Sequence, residues 1–232
     1  MAEAAQGAAP RTSGSVPRAS GSSPRARVRD AERTRGELLA VAIDEFTRHG
    51  LAGARVDEIA ARTRTTKRMI YYYFGSKEGL YTAALEEVYA GIRAYERSLD
   101  LTGLEPAAAL RELAGSSFDY HVAHPELARL VGQENLMGAV YLHGSERQAH
   151  LNRPILAIIT DLLERGRAAG VVRRPVSAIE VHLFISSWVL FQVANVSTIR
   201  ATFGYDMTDD AVRARHRELI GDALLDWLGG GG

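Results

Sequence analysis

The 232-residue chain has no cysteine. Disulfides and thiolate-bound metals are therefore unavailable to it, which suits a reducing compartment. Lysine is almost absent too, since only Lys67 and Lys77 occur among the 28 Lys and Arg residues. No apolar run approaches the roughly 18 residues of a membrane span. The N-terminus has no apolar core of the kind a secretory signal needs. We therefore expect a cytoplasmic protein with no membrane partner. Proline is sparse at seven residues, so long stretches of helical period run uninterrupted. Net charge is zero, which argues against a polyanionic partner until its distribution is considered. Between Arg25 and Lys77, twelve basic residues face seven acidic ones, a balance of +5, and the remainder carries −5.

What is present points to helices. At 46% hydrophobic, a chain of this length can bury a sizeable core in one or two domains. Its Ala, Leu, Arg and Glu content favours an all-α fold. Residues 1–29 hold almost no large apolar side chains and read as a disordered basic tail. Arg18, Arg25, Arg27 and Arg29 could follow a nucleic-acid backbone or minor groove, or the tail could simply solubilise the chain.

The stretch Val56–Lys77, VDEIAARTRTTKRMIYYYFGSK, organises everything else. It reads as two short helices, Val56–Arg62 and Lys67–Phe74, joined at Thr63–Thr66, with Thr66 capping the second. Ile70 and Phe74 lie four apart and share the packed face. At about 100° per residue, Arg68 and Tyr72 point away from that face, with Lys67 and Tyr71 on a flank. Such a face suits a major groove, where Arg pairs with guanine while Lys, Thr and Tyr reach phosphates. A solvated charged helix is the plainer alternative, but it has no use for three consecutive tyrosines. The candidate DNA-binding residues are Arg55, Thr65, Thr66, Lys67, Arg68, Tyr71, Tyr72, Tyr73 and Lys77.

Residues about Glu32–Tyr81 resemble the TetR-type bacterial transcriptional regulators. The matching residues are Leu38-Leu39-Ala40-Val41-Ala42, Phe46, Gly50, Val56–Ala60, Ile70–Phe74 and Ser76–Leu80. The resemblance implies a helix-turn-helix that reads double-stranded DNA, and it likens Lys77 to the family's phosphate-contacting lysine. The chain departs from the family pattern in three places. Ala54 and Arg55 stand where Thr or Ser usually caps the first motif helix. Thr63-Arg64-Thr65-Thr66 replaces the usual Ala-Gly-Val-Ser turn, and Arg68 stands where a small residue is common.

The expected organisation is a helix-turn-helix domain over 30–76 and a helical ligand-binding and dimerisation domain over 77–228, followed by a glycine tail over 229–232. Helix starts are expected at Asp30, at Lys77 behind a Ser76 cap, and near Glu105, His124 and Asn152 because of Pro106, Pro125 and Pro154. Ser177–Arg200 is apolar on nearly all sides and is expected to be buried all round. The stretches HPELARLVGQENLMG and LLERGRAAGVVR and the closing helix also resemble the ligand-binding half of the TetR subgroup that includes pyrimidine and other small-metabolite sensors.

No nucleophile elbow or phosphate loop is present, so an enzyme is not expected. His121 and His124, with Glu126 and Glu134, are the only zinc option, and His124 before Pro125 reads better as a helix cap; we expect no metal or other cofactor. Candidate anchors for a small-molecule effector are Tyr120, Glu134, Asn135, Trp188, Gln192 and Asn195. A polar pair satisfied within the core is the alternative for each. Phe191, Ile220, Leu224 and Trp227 are the candidate homodimer seam. The resulting expectation is a ligand-responsive regulator on a palindromic operator, and the resemblance implies a repressor, as most of the family are. Its rival is a helical small-molecule-binding or adaptor protein without specific DNA recognition.

Overall fold

A computed structural model describes residues 24–143 and 146–230, with side chains described from 29 onward except 146–149. The described residues form ten helices and no strand. They are α1 (Pro24–Gly53), α2 (Val56–Arg62), α3 (Lys67–Phe74), α4 (Lys77–Ser98), α5 (Pro106–Ala123), α6 (Pro125–Leu136), α7 (Glu146–Ala168), α8 (Ala178–Ala194), α9 (Val196–Phe203) and α10 (Asp210–Gly229).

The chain divides into two units, Met1–Thr34 and Arg35–Gly232. In the first, the opening turns of α1 carry an exposed Arg33–Asp30 ion pair at 3.3 Å, and Thr34 donates to the Asp30 carbonyl. Helix α1 thus begins at Pro24, six residues before the expected start, because Pro is well tolerated in a first turn. Residues 1–23 of the expected tail, and 231–232 of the glycine tail, lie outside the described residues.

The second unit holds two apolar cores. The first gathers Leu38, Leu39, Ala42 and Phe46 of α1 with Val56 and Ile59 of α2, Ile70 of α3, Leu80–Ile92 of α4, and Leu127 and Leu130 of α6. Its largest members, Phe46 and Tyr81, meet edge to face with ring centroids 5.1 Å apart. Gly50 stops the regular turns of α1 with φ 65° and ψ 174°, which a side chain would resist. The second core joins α5, α7, α8 and α10 through Leu110, Leu113, Phe118, Ile159, Leu162, Ile185, Ile220 and Leu224. Ion pairs reinforce the α5–α10 contact: Arg217 reaches Asp119 at 2.7 Å and Glu112 at 3.2 Å, and Arg111 pairs with Asp222.

Two further helix boundaries differ from expectation. Pro154 lies inside α7, which begins at Glu146, so it does not mark a helix start; there it removes one ladder hydrogen bond and its ring crowds the carbonyl four residues before. Ser177–Arg200 is not one helix. Asn195, with φ −104° and ψ 8°, separates α8 from α9, and the two are bent by 64°. Nor is it buried all round, because Ile179, Leu183 and Phe191 are about half exposed and α9 buries no residue. No single described helix is long and apolar enough to cross a membrane.

Candidate nucleic-acid interface

Burial fixes the roll of α3. Ile70 is fully buried, and Phe74, half-buried, lies under the Arg35 guanidinium at 5.4 Å. The opposite side therefore faces outward, with Tyr72 78% exposed, Tyr71 40% exposed, and Arg68 exposed. Among the described residues, no ion pair or hydrogen bond holds the Arg68 guanidinium. Thr66 caps the helix by accepting from the Met69 N–H at 3.3 Å, which leaves neighbouring first-turn N–H groups pointing outward. Lys67 is held at this edge by Asp57 of α2, Nζ to Oδ2 2.7 Å, and that hydrogen bond raises the Lys67 ammonium pKa. Lys77, at the start of α4, donates to the Ala52 carbonyl at 3.2 Å.

The unusual turn, and the chain entering α2, both have structural answers. Arg64 sits at φ 52°, in the left-handed region that favours glycine, so the turn closes with a strained arginine. Thr63 donates to the Ile59 carbonyl at 2.7 Å and helps to end α2. Arg55 offers α2 no side-chain cap; instead the buried Glu45 carboxylate of α1 accepts the Arg55 N–H at 3.0 Å. The Arg55 side chain is exposed and 4.0 Å from Glu58.

Two nominated residues do not join the outward face as expected. Tyr73 is half-buried and packs against the N-terminal core, because it lies on the flank that α3 turns inward. Thr65 is half-buried, its N–H donating to the Ala60 carbonyl at 3.1 Å, so it serves the turn.

Residues 38–84 match the model for the N-terminal domain of bacterial regulatory proteins of the tetR family, and 106–224 match that for a tetracyclin repressor-like C-terminal domain. The chain is 33% identical over 202 residues to the HTH-type transcriptional repressor NicS of Pseudomonas putida, covering 87% of this chain and 95% of that protein. The chain belongs to the TetR family. It is also 32% identical over 198 residues to the HTH-type transcriptional repressor SCO4008 of Streptomyces coelicolor, covering 83% of this chain and 97% of that one. A TetR family regulator structure from Marinobacter aquaeolei shares the fold with a TM-score of 0.65, at 21% identity over 86% of this chain and 97% of that one.

In the C-terminal half of this TetR protein, the nominated effector anchors scatter. Glu134 is fully buried, but its Oε1 accepts the Tyr141 and Leu142 N–H groups at 2.6 and 3.1 Å, holding the chain after α6. Its other oxygen has no well-formed hydrogen bond, and burial first, then the Glu134 charge, raises the nearby Tyr81 phenol. Among the described residues, neither Arg129 nor Arg153 forms an ion pair with it, its partners being backbone N–H groups. Asn135 is exposed, because it lies one residue beyond Glu134 and faces the other way. Tyr120 sits in a stack between Tyr95 and His124, ring centroids 5.1 and 4.3 Å away. This packing depends on Gly91, where a Cβ would meet the Tyr120 hydroxyl at 2.5 Å. Trp188 is half-buried against the C-terminal core with its Nε1–H unpartnered. Asn195 donates to the Phe191 carbonyl at the end of α8. Gln192 lines a hollow of about 340 Å³ together with Arg129, Met207 and Arg213, and its Oε1 lies 2.9 Å from His216 Nδ1.

The nominated dimer seam is also revised. Ile220 and Leu224 are fully buried inside the chain, because the apolar stripe of α10 packs on α5. Trp227 stacks on Phe184 of the same chain at 5.0 Å. Phe191 alone is open, at 55% exposure.

One group of polar residues was missed as a group, His121 having been weighed only as a zinc ligand. Arg93, Glu96 and His121 are buried together beside His182 and Ser186. Two signals could have found it. Glu96 continues the apolar spacing of Leu85, Val88 and Ile92 on α4, and His182 and Ser186 make an i, i+4 polar row in an otherwise apolar α8.

Proposed function

We propose that this protein is a ligand-responsive transcriptional repressor, binding a palindromic operator as a homodimer and released by a small molecule. The observation that carries the reading is the exposed side of α3. Arg68 and Tyr72 stand clear of the fold on a helix whose roll is fixed by the fully buried Ile70. An exposed, unengaged guanidinium on a locked two-helix scaffold is suited to guanine readout, with Lys67 and Lys77 near enough in the motif to meet phosphates. Two relatives, NicS and SCO4008, are transcriptional repressors, which supports the sign of regulation.

The half-exposed ridge of Ile179, Leu183 and Phe191 supports a twofold contact between copies. Two reading heads then span half-sites one or more helical turns apart. An effector that binds one head spacing better than another lowers operator affinity by that difference. The rival adaptor reading keeps the uncapped start of α2 among its grounds, since Glu45 holds the Arg55 N–H but no side chain accepts from the first turn of that helix.

Fluorescence anisotropy with the promoter region beside this protein's own gene tests the proposal. Binding that resists competitor DNA in the wild type, and falls towards the competitor level in Arg68→Ala, is the expected result. Equal affinity for promoter and random DNA at physiological salt would favour the adaptor.

A further inference from the structure

Helices α4, α5, α6 and α8 line a partly open cavity of about 140 Å³. Ile92, Leu127, Val131 and Leu190 give it apolar walls, yet Arg93, Glu96, Ser117 and His121 also line it, each more than nine-tenths buried. Arg93 Nη1 donates to both Glu96 oxygens, at 2.8 and 2.6 Å. The buried Arg93 Nε–H has no acceptor among the described residues. His121 Nδ1 lies 2.7 Å from the Ser117 carbonyl oxygen, which can only accept. The proton of a neutral His121 ring is therefore on Nδ1, and Nε2 keeps a free lone pair. On the α8 side, Ser186 Oγ and His182 Nε2 are 3.4 Å apart.

These groups define what can enter. Arg93 and Glu96 cancel in charge, and burial lowers both imidazole pKa values, that of His182 to about 4. An ion brought into this space would be a buried charge without a counter-charge. A wholly apolar ring would leave the Arg93 Nε–H unmet. The volume suits one substituted ring, since an apolar protein cavity of about 150 Å³ takes benzene.

We infer that this cavity is the effector chamber and takes an uncharged single-ring molecule carrying a hydrogen-bond acceptor beside an N–H or O–H donor. The acceptor meets Arg93 Nε–H and the donor meets His121 Nε2, with Ile92, Leu127 and Val131 against the ring. This rests on the ligand-responsive reading above and names the chemistry of its ligand.

Isothermal titration of the full-length protein with 2-pyridone, benzoate and benzene tests it. 2-Pyridone is expected to bind at least tenfold more tightly than either other probe. Ser186→Leu, which fills the chamber, is expected to abolish that binding; Val131→Phe fills it from α6 and serves if the first variant fails to fold. Arg93→Leu/Glu96→Leu removes the ion pair without leaving a lone charge, and is expected to weaken 2-pyridone at least tenfold with unchanged circular dichroism. Benzoate binding as tightly as 2-pyridone, unchanged 2-pyridone affinity in both filled variants, or no heat with any probe would each overturn the inference. Operator binding is measured separately. Intact operator binding without ring binding defeats this inference alone, whereas ring binding without operator binding defeats the regulator reading and leaves the chamber standing.

Discussion

Leu183→Glu and Leu224→Glu, both in the C-terminal half, are expected to fail in different ways. Leu183 is 58% exposed and Phe191 55% exposed, on the same outward ridge of α8, whereas Leu224 is fully buried. Full burial of such a side chain contributes roughly 1.5–3 kcal/mol. With about half the surface still open, Leu183 and Phe191 each offer about 1 kcal/mol to an interface. A twofold contact uses each side chain twice, so about 4 kcal/mol, or about a thousandfold in dissociation constant, depends on the pair. Sedimentation equilibrium is the assay. Leu183→Glu/Phe191→Glu is expected to be a folded monomer at micromolar concentrations where the wild type is a dimer, with its melting profile retained once concentration is matched. Leu224→Glu buries an unpaired carboxylate and is expected to lose the fold rather than the partner. A monomeric wild type, or a double variant that stays dimeric, would refute the reasoning.

Three further outcomes follow from single contacts. Arg68→Ala is expected to cost about 1–3 kcal/mol at the operator and to relax its sequence preference, while Tyr73→Phe, altering a half-buried ring, leaves anisotropy curves unchanged. Glu134→Ala strands the Tyr141 and Leu142 N–H groups and is expected to lose about 1–3 kcal/mol or more in urea unfolding, with the folded fraction binding operator normally. His182, lowered to about 4 by burial, resists protonation in the folded state while the unfolded chain takes up a proton near 6.5. Its contribution is therefore intact above about pH 6.5 and is lost as pH falls towards 4. The stability difference between wild type and His182→Asn, followed by thermal melts, is expected to shrink over that window.

The motif helices were legible because their signals are local. The Thr66 cap, the Ile70–Phe74 spacing and Ser76 before α4 each act within one turn, and α2 and α3 fall on the expected residues. The effector anchors were not legible, because helical phase gives a residue's side but not what stands opposite. Glu134 does point inward, yet what meets it is the backbone of Tyr141 and Leu142. Periodicity could not separate the two apolar helices of the C-terminal half either. The stripe of α10 is consumed by α5, while part of α8 is left open. Arg93 and Glu96 escaped because charged residues on a long helix ordinarily mark its wet side.

The helix-turn-helix core borrows from well beyond its own segment. Leu127 and Leu130 of α6 are sealed into it, and Gln133 Nε2 donates to the Phe46 carbonyl at 3.1 Å near the end of α1. Anyone grafting this DNA-reading head onto another sensor inherits that debt. A cut at residue 76 would strip Leu80, Tyr81, Ala84 and the α6 leucines from the core and leave an apolar wound on both halves. A working chimera would carry α4 and α6 along with the head, which makes the sensor's own walls part of the transplanted piece.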